Sequence, residues 1–70
     1  NNVQKKVLEH DWAIQMHGFY VDMVEKLIRF DVVLSFDADR KEALDTLNTE
    51  LKEMYPDYTP VIVPDVDTSD

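Results

Sequence analysis

The chain has 70 residues, no cysteine, and fifteen acidic side chains against seven Lys and Arg, a formal charge of −8. Without cysteine it forms no disulfides, thiolate metal sites or thiol redox motifs. The acidic balance lacks the basic footprint that nucleic acid or an anionic membrane surface requires, and suits cations, basic proteins or a plainly solvated surface. The length accommodates one domain, residues 1–70, near the lower limit at which an unstapled core folds alone, so oligomerisation or ligand binding would add noticeably to its stability.

Asn1 to Glu9 predicts a short helix with Val3, Val7 and Leu8 on one stripe and Asn1 or Asn2 as its cap. His10 follows at the helix C-terminus, where it reads as a partner of the helix dipole, and Trp12 reads as a packing residue over the end of a sheet or at a subunit contact. Ala13 to Asp22 predicts the first strand, with Ile14, Met16 and Tyr20 on one face and Gln15, His17, Phe19 and Val21 on the other. Gly18, the one glycine in the chain, falls at a core-face position and signals a bulge or room for a bulky neighbour. Met23 to Glu25 reads as a hairpin loop. Centred on Val24, it sets His17 opposite Asp31, Gly18 opposite Phe30, Met16 opposite Val32 and Ile14 opposite Leu34.

Lys26 to Phe36 predicts the central strand, because Ile28, Phe30, Val32, Leu34 and Phe36 recur at every second position. Asp39 to Met54 is the clearest helix. Asp39 and Glu42 form a D-x-x-E capping box, Ala43, Leu44, Leu47, Leu51 and Met54 an apolar stripe, and Pro56 the stop. Tyr58 to Val66 predicts a third strand, and its two prolines, Pro60 and Pro64, assign it to a sheet edge. An acidic tail closes the chain. The order α-β-β-α-β, with a parallel crossover to the third strand, predicts an α+β, ferredoxin-like or metallochaperone-like fold: a three-stranded mixed sheet with both helices on one face. The other face is then open and carries His17 and Asp31.

Apolar runs reach only three residues, as in Val32 to Leu34, too short for a transmembrane helix or a signal peptide. The start at Asn1 without Met suggests a piece excised from a longer protein.

The tail VIVPDVDTSD has the form of the Asp-x-Asp-x-Thr nucleophile motif of haloacid-dehalogenase-like phosphatases, but that motif opens a large α/β domain and here stands at the end of the chain. An EF-hand needs a central glycine and a closing glutamate, and the tail has neither. His17 with Asp31, Asp65 and Asp67 makes an N/O donor set of the kind that holds Zn²⁺, Mn²⁺, Fe²⁺ or Co²⁺, although a polar open face needs no metal. No hydroxyl nucleophile with a neighbouring base and no phosphate-cradling loop occurs, so the chain reads as a non-enzyme.

Taken together, QMHGFYVD, IRFDVVLSF, MYPDY and PDVDTSD resemble, over Trp12 to Asp70, the C-terminal cytoplasmic domain of bacterial cation diffusion facilitators, the cation efflux transporters. The resemblance implies an α-β-β-α-β domain on the cytoplasmic face of the cell membrane, joined to a membrane-spanning transport domain of the same chain. Such a domain forms a homodimer and in many members binds metal between subunits. Met16 and His17 match the family's first-strand motif, whose following Asp is replaced by Gly18. The family's second-strand His falls at Val33, with Asp31 the nearest polar substitute. At the end of the third strand Asp65 replaces a His and Asp67 matches. The expectation is a regulatory and dimerisation domain of a divalent metal efflux transporter that senses metal between subunits through His17, Asp31, Asp65 and Asp67. The alternatives are a metal-independent dimerisation scaffold and a free-standing ferredoxin-like module that binds a small ligand or a protein.

Overall fold

The computed structural model describes residues 1–66. Helix α1 (Asn2–Leu8) is followed by strands β1 (Ala13–Asp22) and β2 (Leu27–Leu34), helix α2 (Arg40–Met54) and strand β3 (Thr59–Val66). This is the expected α-β-β-α-β order, with each boundary within two residues of its sequence-based position. The sheet order is β1-β2-β3, antiparallel on one side of β2 and parallel on the other, a mixed sheet of three strands in a ferredoxin-like arrangement.

Both helix N-caps fall where the sequence predicts them, and of the Asp39–Glu42 box the Asp39 half is formed. Asn1 accepts from the Gln4 backbone N–H at 2.7 Å and opens α1. Asp39, in extended conformation, accepts from the Glu42 N–H at 3.0 Å and opens α2, satisfying one of the orphan donors of its first turn. At the other end of α2, Lys52 donates to the carbonyls of Pro56 and Tyr58 at 3.1 and 3.0 Å, tying down the connection to β3.

Every second residue of β2, from Ile28 through Phe30 and Val32 to Leu34, is buried under Val3 and Val7 of α1 and Ala43, Leu47 and Leu51 of α2. Both helices therefore lie on one face of the sheet. Besides Ile14 and Tyr20 of β1, which are 44% and 54% exposed, two members of the expected apolar sets point elsewhere. Leu8 is 40% exposed, because Val3 and Val7, four apart, already define the narrow buried stripe of a helix only seven residues long. Phe36 is 83% exposed: β2 ends at Leu34, the Ser35 N–H turns to the Trp12 carbonyl at 2.9 Å, and a turn at Ser35–Ala38 swings Phe36 out of the pleat.

The hairpin register matches expectation in its middle, where His17 pairs with Asp31 and Met16 with Val32, and departs at both ends. Ala13 rather than Ile14 faces Leu34, so Ile14 is the extra residue of one irregularity. Gly18 and Phe19 together oppose Phe30, and Gly18 adopts φ +61°, the left-handed conformation of a glycine-initiated bulge. One added residue reverses the facing of everything beyond it. Tyr20 pairs with Arg29 on the open face, while Val21 pairs with buried Ile28 on the helix side. The turn itself is longer than expected. The Asp22 carboxylate accepts from the Val24 and Glu25 N–H groups, and Lys26 closes the turn at φ 59°.

On β3 the Thr59 N–H donates to the Lys26 carbonyl at 2.8 Å, so the odd-numbered residues bond toward β2 and Pro60, Ile62 and Pro64 face outward. The prolines leave Ile62 as the only donor among those three, which blunts this edge against further pairing. The β1 edge is broken by its two irregularities instead.

Candidate functional site: the open sheet face

The uncovered face includes three adjacent cross-strand rows: Gln15, Val33 and Asp65; His17, Asp31 and Val63; and Tyr20, Arg29 and Val61. Its apolar members are partly open to water, Tyr20 at 54%, Val61 at 37% and Val63 at 38% exposure. Four of its polar members form two local pairs. The His17 Nε2–H donates to Gln15 Oε1 at 3.0 Å, which in the neutral ring leaves the Nδ1 lone pair for a ligand. Arg29 Nη2 lies 3.4 Å from Asp31 Oδ1. Gly18 lies beside that ion pair: a Cβ placed on it would stand 3.3 Å from Asp31 Oδ2 and 3.6 Å from Arg29 Nη1.

Of the four expected metal donors, the structure brings His17 and Asp31 to facing positions. Asp65 is exposed one row away, beside Val33, and Asp67 lies outside the described residues. Among the described residues, no three His, Asp or Glu side chains stand close enough to hold one ion. Among the described residues one copy thus offers two facing donors, fewer than Zn²⁺ or Mn²⁺ ordinarily takes from a protein, and Asp31 already carries a cationic partner.

Two features off this face escaped the sequence-based reading. His10 does more than sit by a helix terminus: its Nε2 is 2.7 Å from Glu50 Oε1 on α2, and its ring stacks on Trp12 with centroids 4.3 Å apart. Residue types alone carry no signal for a contact forty positions apart. Trp12 in turn walls an open depression with Asp11, Asp37, Asp39 and Glu42. There Asp37 accepts from Ser35 Oγ at 2.9 Å and Asp39 caps α2, so two of the four carboxylates serve the local backbone turn.

Comparison with protein-family models, with curated proteins and with solved structures found no match for this chain.

Proposed function

We propose that this chain is the cytoplasmic regulatory and dimerisation domain of a divalent metal cation efflux transporter, held at the cell membrane by a membrane-spanning transport domain of the same protein. No helix among the described residues is long and apolar enough to cross a membrane, so under this reading the transport path belongs to another part of the protein. The observation that supports the reading is the bare sheet face, where half-exposed Tyr20, Val61 and Val63 surround the facing pair His17 and Asp31. A second copy laid on it would bury the apolar members and combine two incomplete donor sets.

Electrostatics gives such a pair its regulation. Two copies at −8 each repel, and divalent cations shared between His17, Asp31 and Asp65 of both would relieve the repulsion. The dimer then gains stability by its differential affinity for the cation. Sedimentation velocity combined with calorimetric titration of Zn²⁺ and Mn²⁺ tests this. A chain that stays monomeric and indifferent to both ions sinks the proposal.

One observation favours a second reading, dimerisation without metal. The Arg29 guanidinium already offsets the charge of Asp31, so the face meets a copy of itself with less repulsion than net charge suggests. Dimerisation unchanged by a chelator, and unchanged in Asp31→Asn, selects this scaffold over the sensor.

A further inference from the structure

We propose that the helix side of the sheet carries a binding groove for a small aromatic carboxylate, its ring against Phe19, Val21 and Ile28 and its carboxylate at Lys26. The groove has a volume of about 210 Å³ and is lined by Val3, Phe19, Val21, Ile28, Tyr55 and Tyr58. It exists because α1 is short. Seven residues of helix span about 10 Å, whereas the ten residues of β1 span about 33 Å, so α1 returns over only part of the strand and ends its cover at Val3. Helix α2 has likewise stopped at Met54, before Tyr55. Val3 and Ile28 are buried at the base of the groove, while Phe19 and Val21, at 39% and 40% exposure, stand half open to water.

Two properties set the chemistry of the ligand. The lining carries no charged side chain and three aromatic rings, which suits a flat hydrocarbon body. At about 30 Å³ per water the groove holds about seven waters, the room of one ring with a short chain. The second property is local charge. Lys26 Nζ lies 5.3 Å from the centroid of the Tyr58 ring, and Lys52 Nζ donates to the Tyr58 carbonyl at 3.0 Å. Among the described residues neither ammonium forms an ion pair with a carboxylate, whereas Lys6, Arg29 and Lys41 each do. In a chain of net charge −8, two ammonium groups thus meet at one wall of an apolar groove.

The backbone fixes Lys26 in that place. Its carbonyl accepts from the Thr59 N–H at 2.8 Å, and its φ of 59° is a left-handed conformation that glycine or asparagine takes more easily. A lysine there is a strained choice, and what it supplies is the ammonium beside Tyr58. Of the three tyrosine hydroxyls, only that of Tyr20 has a protein partner among the described residues. Those of Tyr55 and Tyr58 are left to donate to water or to a ligand oxygen. The groove is on the sheet face opposite His17 and Asp31, so the inference stands or falls independently of the reading above.

Titration of the isotope-labelled chain with phenylpropanoate, ionised at neutral pH, followed by backbone amide shifts, tests it. The neutral phenylpropanamide, protonated phenylpropylamine and acetate serve as comparisons. A ligand of about eleven heavy atoms is expected to bind with about millimolar affinity and to move Val21, Ile28 and Tyr58 saturably. The amide and the amine should bind at least about threefold more weakly, and acetate, which lacks the ring, should leave these amides unmoved. Lys26→Asn suits the left-handed backbone while removing the ammonium, and is expected to lose about three- to fivefold in affinity for phenylpropanoate. Lys26→Arg should bind like the parent. Lys41→Gln, which takes the same charge from the opposite end of α2, controls for net charge. An equal loss there overturns the proposal, as does equal binding of the neutral amide, an undiminished affinity in Lys26→Asn, or shifts that are absent from the groove or centred on Trp12.

Discussion

Phe30 and Phe36 are the same residue on the same alternating stripe, and the structure gives them opposite fates. Phe30 is fully buried at the centre of β2, under both helices and beside Ile62, whereas Phe36 is 83% exposed beyond the strand end. Phe30→Ala removes a ring from a close-packed site and is expected to cost about 3–5 kcal/mol. A domain of this length has about 3.5–10 kcal/mol in total, at 0.05–0.15 kcal/mol per residue. The variant should therefore be marginal or unfolded at room temperature. Phe30→Leu, which refills part of the space, provides a measurable intermediate at about 1–2 kcal/mol, a fall in melting temperature of roughly 4–16 °C. Phe36→Ala should change stability by no more than about 0.5 kcal/mol. Urea and thermal unfolding followed by far-ultraviolet circular dichroism measure all three. If Phe36→Ala is as damaging as Phe30→Leu, β2 continues past Leu34 and the end of the core is wrongly drawn.

Gly18→Ala forces a side chain into a left-handed backbone and against Asp31, and is expected to lose about 1–2 kcal/mol of stability by thermal melting, with Gly18→Asn less affected. Asp39→Ala removes the cap of α2 and should lose about 1 kcal/mol in urea unfolding, while Asp37→Ala, whose carboxylate meets only Ser35, should lose less. His10→Ala breaks both the contact to Glu50 and the stack on Trp12; a changed emission spectrum of this single tryptophan, with a loss of about 1 kcal/mol, is expected, and an unaltered spectrum would contradict the stacked geometry. Replacing Pro60 and Pro64 together by Val restores two outward donors to the β3 edge and should raise the tendency to associate, measured by light scattering.

Element order, both helix caps, the central strand and the edge position of β3 were legible in the sequence because each rests on a local rule: an alternating period, an Asn or Asp at a helix start, a proline in a strand. The facing of β1 was not. Phe19, Tyr20 and Val21 are consecutive and all compatible with either face, so they carry no parity of their own, and strict alternation assigned Tyr20 to the core. Gly18 did announce a bulge. What one residue cannot announce is whether the ladder absorbs the insertion before or after it, and that choice turned Val21 inward and Tyr20 outward. The site shows the same division. The His17–Asp31 pairing follows from hairpin arithmetic, and the structure has it. The Arg29–Asp31 pair joins two residues on one face of one strand, and long side chains of that kind choose partners by the space available rather than by spacing.

That space links architecture to chemistry. A side chain at position 18, carried on the same left-handed backbone, would press on Asp31 and touch Arg29. Glycine leaves that space open, the extra residue of the bulge shifts Tyr20 onto the open face beside Arg29, and the guanidinium lies against the carboxylate. One glycine thus bears on two properties of the face: which aromatic it shows and how freely Arg29 and Asp31 meet. A substitution at Gly18 should therefore lower fold stability through the backbone, whereas Arg29→Gln, at a partly exposed pair, should change the melting temperature little. Measured on the same chain, that contrast separates the charge of the pair from the backbone beside it.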